Sequence, residues 1–230
     1  MLFAFAPEGY PYFAVFGALT LLVWMAWGWF AALPALALAF MFYFFRDPER
    51  NTPAEEGYIC PADGKIIVTD HLREDNYLES EAMLISIFMS PLNVHVNRSP
   101  CDCRVLDVKY HKGTFKSAWS EQAFHKNEHI SMVVQETPAA AQEKGVRILV
   151  RQVAGSIAQK AVCRKKPGDT LKRGERFGII KFSSRVDVYL PADVELAVNI
   201  GDIVRAGETI LAKKRPIRPA TAPEGILAKK

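Results

Sequence analysis

From Gly9 to Phe45 the chain carries no charged side chain, a run of 37 positions that are nearly all apolar or aromatic. A run like this cannot form the half-wet shell of a water-soluble domain. In lipid, a lone segment satisfies its own backbone only as a helix, so the N-terminal part reads as a hydrophobic helical membrane anchor covering residues 1–45. One span needs ~20 residues, with ~17 as the lower limit; the run is long for one crossing and barely enough for two. Gly28 and Pro34 are the available helix breakers, and Trp24, Trp27 and Trp29 cluster beside them. Tryptophan favours the membrane interface, so the economical expectation is a short hairpin turning near residues 27–34. A single tilted span is the alternative. No Lys or Arg precedes Arg46, which argues against the positive start of a cleaved secretory signal. Arg46 and Arg50 follow the run at once and place that end on the cytoplasmic face of the cell membrane.

All 29 basic residues lie from Arg46 onward, against 24 acidic ones, a net +5. Six of those positive charges (Lys213, Lys214, Arg215, Arg218, Lys229 and Lys230) fall in the last 18 residues with Glu224 alone to oppose them. With Pro216, Pro219 and Pro223 among them, residues 213–230 read as a flexible basic tail. Near an anionic membrane surface each charge adds about 1 kcal/mol of attraction; a solvating tail without a partner is the competing reading. Nucleic acid is not expected, because the basic residues lack interleaved aromatics. Cys60, Cys101, Cys103 and Cys163 do not have the spacing of a zinc knuckle, and they read as reduced thiols in keeping with a cytoplasmic face.

Past the anchor, residues 46–212 lose the helical period. Tyr58–Asp70, Ala82–Met89, Asp102–Tyr110, Ile130–Val134, Arg147–Val153, Phe177–Phe182 and Val186–Leu190 read as strands punctuated by Gly, Pro, Asn or Asp. Residues 118–126 read as a loop or short helix. The pattern G-D-x-apolar-x-x-G-E-x-apolar occurs twice, at Gly168–Phe177 and Gly201–Ile210, 33 residues apart. The expectation is a compact, mostly β domain resembling the barrel-sandwich hybrid of biotinyl and lipoyl carriers.

Residues 177–191, FGIIKFSSRVDVYLP, are two alternating strand patterns interrupted by Ser183-Ser184. Taken alone, the serines mark a polar turn. Together with FFRDPER (44–50), PADGKI (61–66), SPLNVHVNRSP (90–100), YHKG (110–113), Asn127-Glu128 and QVAGSIA (152–158), the segment resembles the short bacterial and archaeal phosphatidylserine decarboxylase proenzymes. The words follow the order of that family across residues 44–191. One position departs from it, since Ser183 stands where the family usually has glycine.

The resemblance implies a self-processing, pyruvoyl-dependent lyase that decarboxylates phosphatidylserine in phospholipid biosynthesis. Ser184 Oγ would attack the carbonyl of residue 183, and the resulting ester would eliminate to leave a pyruvoyl group formed covalently from Ser184. The products would be a large chain, 1–183, and a small chain, 184–230. Decarboxylation needs an electron sink that ordinary side chains do not supply, and no glycine-rich phosphate cradle suggests another cofactor. Glycine suits position 183 because it tolerates positive φ; serine there is a lesser candidate nucleophile. By position in the motifs, His95 is the family's catalytic histidine and Asp63 its acidic partner, giving a nucleophile, base and orienter. On the residues alone, His95 would be a structural strand residue and Asp63 a turn residue. Asn97 and Arg98 are candidates to face the lipid head group, or else lie on the surface. A homo-oligomer is compatible with the resemblance, and removing the anchor is expected to release a soluble domain that still cleaves itself.

Three alternatives stand beside this reading. One is an archaeal ether-lipid decarboxylase, and another a non-enzymatic carrier or adaptor on the β scaffold, although Lys213-Lys214 follows a strand and not the hairpin tip where a carrier presents its lysine. The third is a membrane zinc hydrolase, because His125-Lys-Asn-Glu128-His129 fits H-x-x-E-H. That chemistry needs both histidines on one helical turn, whereas a strand pattern begins at Ile130, so no metal is expected.

Overall fold

The computed structural model describes residues 4–113, 127–137, 145–155, 160–182 and 184–214. The apolar run forms α1 (Tyr10–Trp27) and α2 (Ala32–Phe44), joined by a short 3-10 turn over Gly28–Ala31. Gly28 has φ of 56°, a conformation that favours glycine, and there the chain doubles back. Phe13 of α1 stacks on Phe42 of α2 with ring centroids 4.3 Å apart. At the open end, Phe5 bridges to Arg46 and the Ala6 amide donates to the Phe45 carbonyl at 2.9 Å. Of the two expected arrangements, the hairpin is the one found. The helical stretch Pro7–Phe44 is long and apolar enough to cross a membrane. It is also mostly uncovered, with Trp29 79% exposed, so it is not the core helix of a soluble fold.

The remainder is mostly β and consists of two copies of one unit. The first copy holds β1 (Tyr58–Ile59), β2 (Gly64–Glu74) and β3 (Ser80–Met89), then continues with β11 (Ser184–Pro191), β12 (Glu195–Leu196), β13 (Ile203–Val204) and β14 (Ile210–Lys213). The second copy is continuous and lies between β3 and β11. It comprises β4 (Val96–Arg98), β5 (Cys103–His111), β6 (His129–Glu136), β7 (Arg147–Ala154), β8 (Ala161–Cys163), β9 (Thr170–Leu171) and β10 (Arg176–Ile180). An antiparallel eight-stranded sheet runs β13-β2-β3-β11-β7-β6-β5-β9, so the second four strands mirror the first. The three-stranded sheets β1-β14-β12 and β4-β10-β8 repeat each other in the same way.

Sequence explains the repeat. Residues 60–70 and 99–109 align at an offset of 39, matching Pro61 with Pro100, Asp63 with Asp102, and Ile66 with Val105. The two echoed G-D-x-apolar segments supply the edge strands β9 and β13. Equivalent hydrogen bonds join these pieces: Ile66 N donates to Asp202 O at 2.9 Å, and Val105 N to Asp169 O at 2.8 Å. Gly168 and Gly201 open the two segments with φ of 96° and 102°, which a residue bearing Cβ adopts only with strain.

The long sheet curls into a half-barrel around one apolar core. Along β11, Val186, Val188 and Leu190 point into that core, while Arg185, Asp187 and Tyr189 take the other face, as the two-residue strand period requires. A separate cluster joins anchor to domain: Ala6, Met41, Phe44 and Phe45 pack against Val94, Val96 and Ile179. The boundary expected at residue 45 therefore runs through packed interior. The expected loop or helix at 118–126, the tail from 215 and Ser183 lie outside the described residues.

Candidate active site

The continuous unit enters between β3 and β4 and leaves between β10 and β11; the sequence-predicted residues His95 and Ser184 sit at these two junctions. Ser184 is the first residue of β11, fully buried, and it pairs with Met89 at the end of β3 and with Ala154 at the end of β7. Its hydroxyl donates to the Met89 sulfur at 3.4 Å, a weak acceptor that leaves the oxygen lone pairs uncommitted. Beyond Met89 a tight turn closes, Ser90 N donating to Asn93 Oδ1 at 2.8 Å, and delivers His95 beside the other junction. There the Ile180 amide donates to the His95 carbonyl at 3.3 Å. Two residues later Phe182 has φ of 56°, a strained backbone for a residue with a side chain.

The imidazole of His95 is fully buried. Nδ1 lies 2.9 Å from the Asn93 carbonyl, which can only accept, so Nδ1 carries the proton. Nε2 is left as a bare lone pair, buried and without a hydrogen-bond partner among the described residues. Burial lowers the pKa to about 4, offset in part by the Asn93 bond and helped by the charge of Arg46. At neutral pH the ring is thus a proton acceptor held dry. The Phe44 ring lies on it at 4.2 Å between centroids, and the Phe182 ring lies on Phe44 at 4.5 Å.

A polar chain continues from Ser184 into the interior. Asn97 Nδ2 approaches the same Met89 sulfur at 3.9 Å, and Gln152 Nε2 donates to Asn97 Oδ1 at 2.8 Å. Gln152 Oε1 is buried without a partner among the described residues. On the opposite face, Arg185 and Asp187 form a fully buried ion pair, Nε to Oδ1 at 2.8 Å, to which Ser86 Oγ donates at 2.7 Å. That pair explains R-V-D in the motif: it locks β11 against β3 immediately after Ser184.

Asp63 is placed differently from expectation. Its Oδ2 takes Arg50 Nη2 at 2.8 Å and its Oδ1 the Ala206 amide at 2.8 Å, so it is not hydrogen-bonded to His95. Asp102, its counterpart in the continuous unit, accepts the Arg173 amide at 2.9 Å in the same manner. Arg98 is buried and not on the surface: it donates to Gly174 O at 3.0 Å and Pro48 O at 2.9 Å, and pairs with Asp47. The FFRDPER segment is thereby a clip. Phe44 and Phe45 enter the core, Asp47 holds Arg98 and Arg176, and Arg50 holds Asp63.

The remaining candidates separate from this site. His129 starts a strand, stacks on His111 at 4.5 Å and is bonded through Nδ1 to Asn127 O at 2.8 Å; His125 lies outside the described residues. Among the described residues no cluster of His, Cys, Asp or Glu could hold a metal ion. Lys213 and Lys214 are paired with Glu55 and Glu136 and do not occupy a hairpin tip. Sequence reasoning missed Phe44, Met89 and Gln152. Met89 lay in an ordinary strand pattern and carried no signal, whereas Phe44 and Gln152 stood inside motifs already singled out.

Comparison with known proteins defines the class. The profile of the phosphatidylserine decarboxylase family matches residues 37–212. The chain is 46% identical over 208 residues to a phosphatidylserine decarboxylase proenzyme of Geotalea uraniireducens, covering 90% of this chain and 94% of the relative. It is 48% identical over 179 residues to one of Desulfotalea psychrophila (77% and 81% covered), and 44% identical over 209 residues to one of Syntrophotalea carbinolica (90% and 94%). The chain belongs to the phosphatidylserine decarboxylase family. Its activity is the decarboxylation of phosphatidylserine, carried by a pyruvoyl group made from one of its own serines.

Proposed function

We propose that the chain cuts itself between Ser183 and Ser184, and that Ser184 becomes the pyruvoyl group. The observation that carries this reading is the buried, unpartnered Nε2 of a neutral His95 at the junction where Ser184 begins β11. In this reading Nε2 takes the Ser184 hydroxyl proton as Oγ attacks the carbonyl of residue 183, a base role worth ~10²–10⁴-fold. The strained φ at Phe182 and the fixed start of β11 hold the bond in place, and such positioning is worth roughly 7–11 kcal/mol at best. The ester then eliminates its carboxylate to leave dehydroalanine, and hydrolysis releases ammonia. The products are the large chain 1–183 and the small chain 184–230.

The unpartnered Gln152 Oε1 and His95 Nε2, with Asn97 beside them, suit a small carbonyl group at residue 184 that needs proton acceptors and donors in a dry setting. When formed, that group supplies the electron sink for loss of carbon dioxide. His95 Nε2 is placed to return a proton to the carbon that loses it. Asp63 acts through Arg50 and the clip, fixing the segment that ends in Phe44. In this reading the reaction runs at the cytoplasmic face; Arg46 and Arg50, directly after the apolar run, support it. The two matched units are read as a barrel-sandwich-hybrid-like scaffold.

Mass spectrometry of the purified protein tests the reading. Two chains are expected, the small one lacking a free amino terminus and resisting Edman sequencing. An intact 25.7 kDa chain in an active preparation would overturn it.

A further inference from the structure

The membrane anchor supplies part of the active-site frame. Phe44, the last residue of α2, is fully buried, and its ring touches both chemical junctions, His95 at 4.2 Å (interplanar 33°) and Phe182 at 4.5 Å (interplanar 26°). Among the described residues no other ring of the anchor lies on His95; Tyr12 meets Phe182 only edge-on at 6.5 Å. We infer that Phe44 is a positioning residue for self-cleavage: its ring fixes the plane of the His95 imidazole and, through Phe182, the approach of the bond before Ser184. The inference rests on the reading of Ser184 and His95 above.

The physical reason is that packing, more than hydrogen bonding, holds the ring. Among the described residues the His95 imidazole has one hydrogen bond, to the Asn93 carbonyl, which alone leaves rotation about that contact open. The tilted Phe44 ring lying on it opposes that rotation and keeps water from Nε2. Phe182, at φ of 56°, would relax to a commoner backbone conformation if nothing held its side chain. The Phe44 ring holds both at once, so anchor and base move as one body. Removing residues 10–45 therefore takes away the stack, and the self-cleaving soluble domain expected from the sequence alone is not the expectation from the structure.

The test follows maturation of the full-length chain, made in detergent or vesicles, for Phe44→Leu, Phe44→Met and, as a control, Phe13→Leu. Phe13 stacks on Phe42 within the hairpin and is not among the rings on His95 or Phe182. Both Phe44 variants are expected to convert proenzyme to two chains at least about 10-fold more slowly. The acid limb of their rate–pH profile should move up by about one unit, because water reaching Nε2 restores the charged form. Around the ring, the charge that acts on it is Arg46, from the residue pair after α2, and this is unchanged in every variant. Phe13→Leu should match wild type in rate and profile. Wild-type rate and profile in the Phe44 variants, or equal slowing in Phe13→Leu without a profile change, overturns the inference. If the wild type itself is not cut between 183 and 184, the parent reading fails instead, and the two failures are told apart by that one band.

Discussion

In the continuous unit, β6 and β7 follow one another in sequence, and where they pair the Glu136 amide donates to the Val146 carbonyl at 2.9 Å. In the split unit the equivalent strands, β3 and β11, are separated by the whole of the other copy, from Val96 to Ile180. Yet Ser184 is paired with Met89 and Ala154 as though β3 and β11 were still neighbours in sequence. A bond at an opened junction can be strained and cut while the sheet keeps both new ends in register. The matched carboxylates differ in the same direction: Asp102 holds only its turn amide, whereas Asp63 holds the equivalent amide and also Arg50 of the clip. His95 lies 39 residues beyond Glu56, which is exposed. The split unit thus brings the serine on β11, while His95, Asn97 on β4 and Gln152 on β7 come to it from the continuous unit.

The largest effect expected from this contrast is all-or-none. Ser184→Ala should leave a single chain on a denaturing gel, and His95→Ala should accumulate uncut proenzyme with cleavage slowed ~10²-fold or more. Val146→Ala, at the intact connection, should be processed like wild type. Cutting of His95→Ala at the normal rate would remove the functional difference between the junctions.

Next in size is a pH effect. His95 has a folded pKa near 4, depressed by burial below the ordinary 6.5. The unfolded chain therefore binds a proton that the folded chain refuses. The stabilising contribution is fully present above about pH 6.5 and is lost as pH falls towards 4, a change of about 3 kcal/mol. Denaturant melts of the uncut Ser184→Ala protein should show this slope, and adding His95→Gln should flatten it. A slope that survives the second change would assign the titration to another group.

The smallest effect separates the twin carboxylates. Asp63→Asn and Asp102→Asn each weaken one turn bond, about 1 kcal/mol. Asp63→Asn also leaves Arg50 without its closest partner, which should add a further ~1–2 kcal/mol and slow maturation several-fold. Thermal melts and a maturation time course of both variants check this. Equal behaviour would mean that the clip contributes nothing.

Much of this was legible in the sequence. Alternating or continuous apolar patterns predicted the seven long strands, each of five or more residues; β11 is buried on both faces. Strands of two to four residues, such as β9 and β13, make no period to read and were visible only as the echoed glycine segments. The motif words located Ser184 and His95, but a word says where a residue lies and not what it touches. Asp63 therefore read as an orienter, although its oxygens are taken by Arg50 and Ala206, and Arg98 read as facing the head group or lying on the surface, although Asp47 and Gly174 enclose it. Phe44 opens a motif word, FFRDPER, but its role was unread for a different reason, since one aromatic among many apolar neighbours is distinguishable only by the ring it meets.

The split of one unit around the other also sets a clock. During synthesis the anchor emerges first and β4–β10 can pair among themselves as soon as they appear, but β11, the strand between β3 and β7, is made after everything it must pair with. Until residues 184–191 emerge, the buried base has no serine beside it. On the proposed reading, cutting is thus deferred until the scaffold is nearly complete, and a truncated product that ends before β11 would have neither the sheet's central strand nor the bond to be cut.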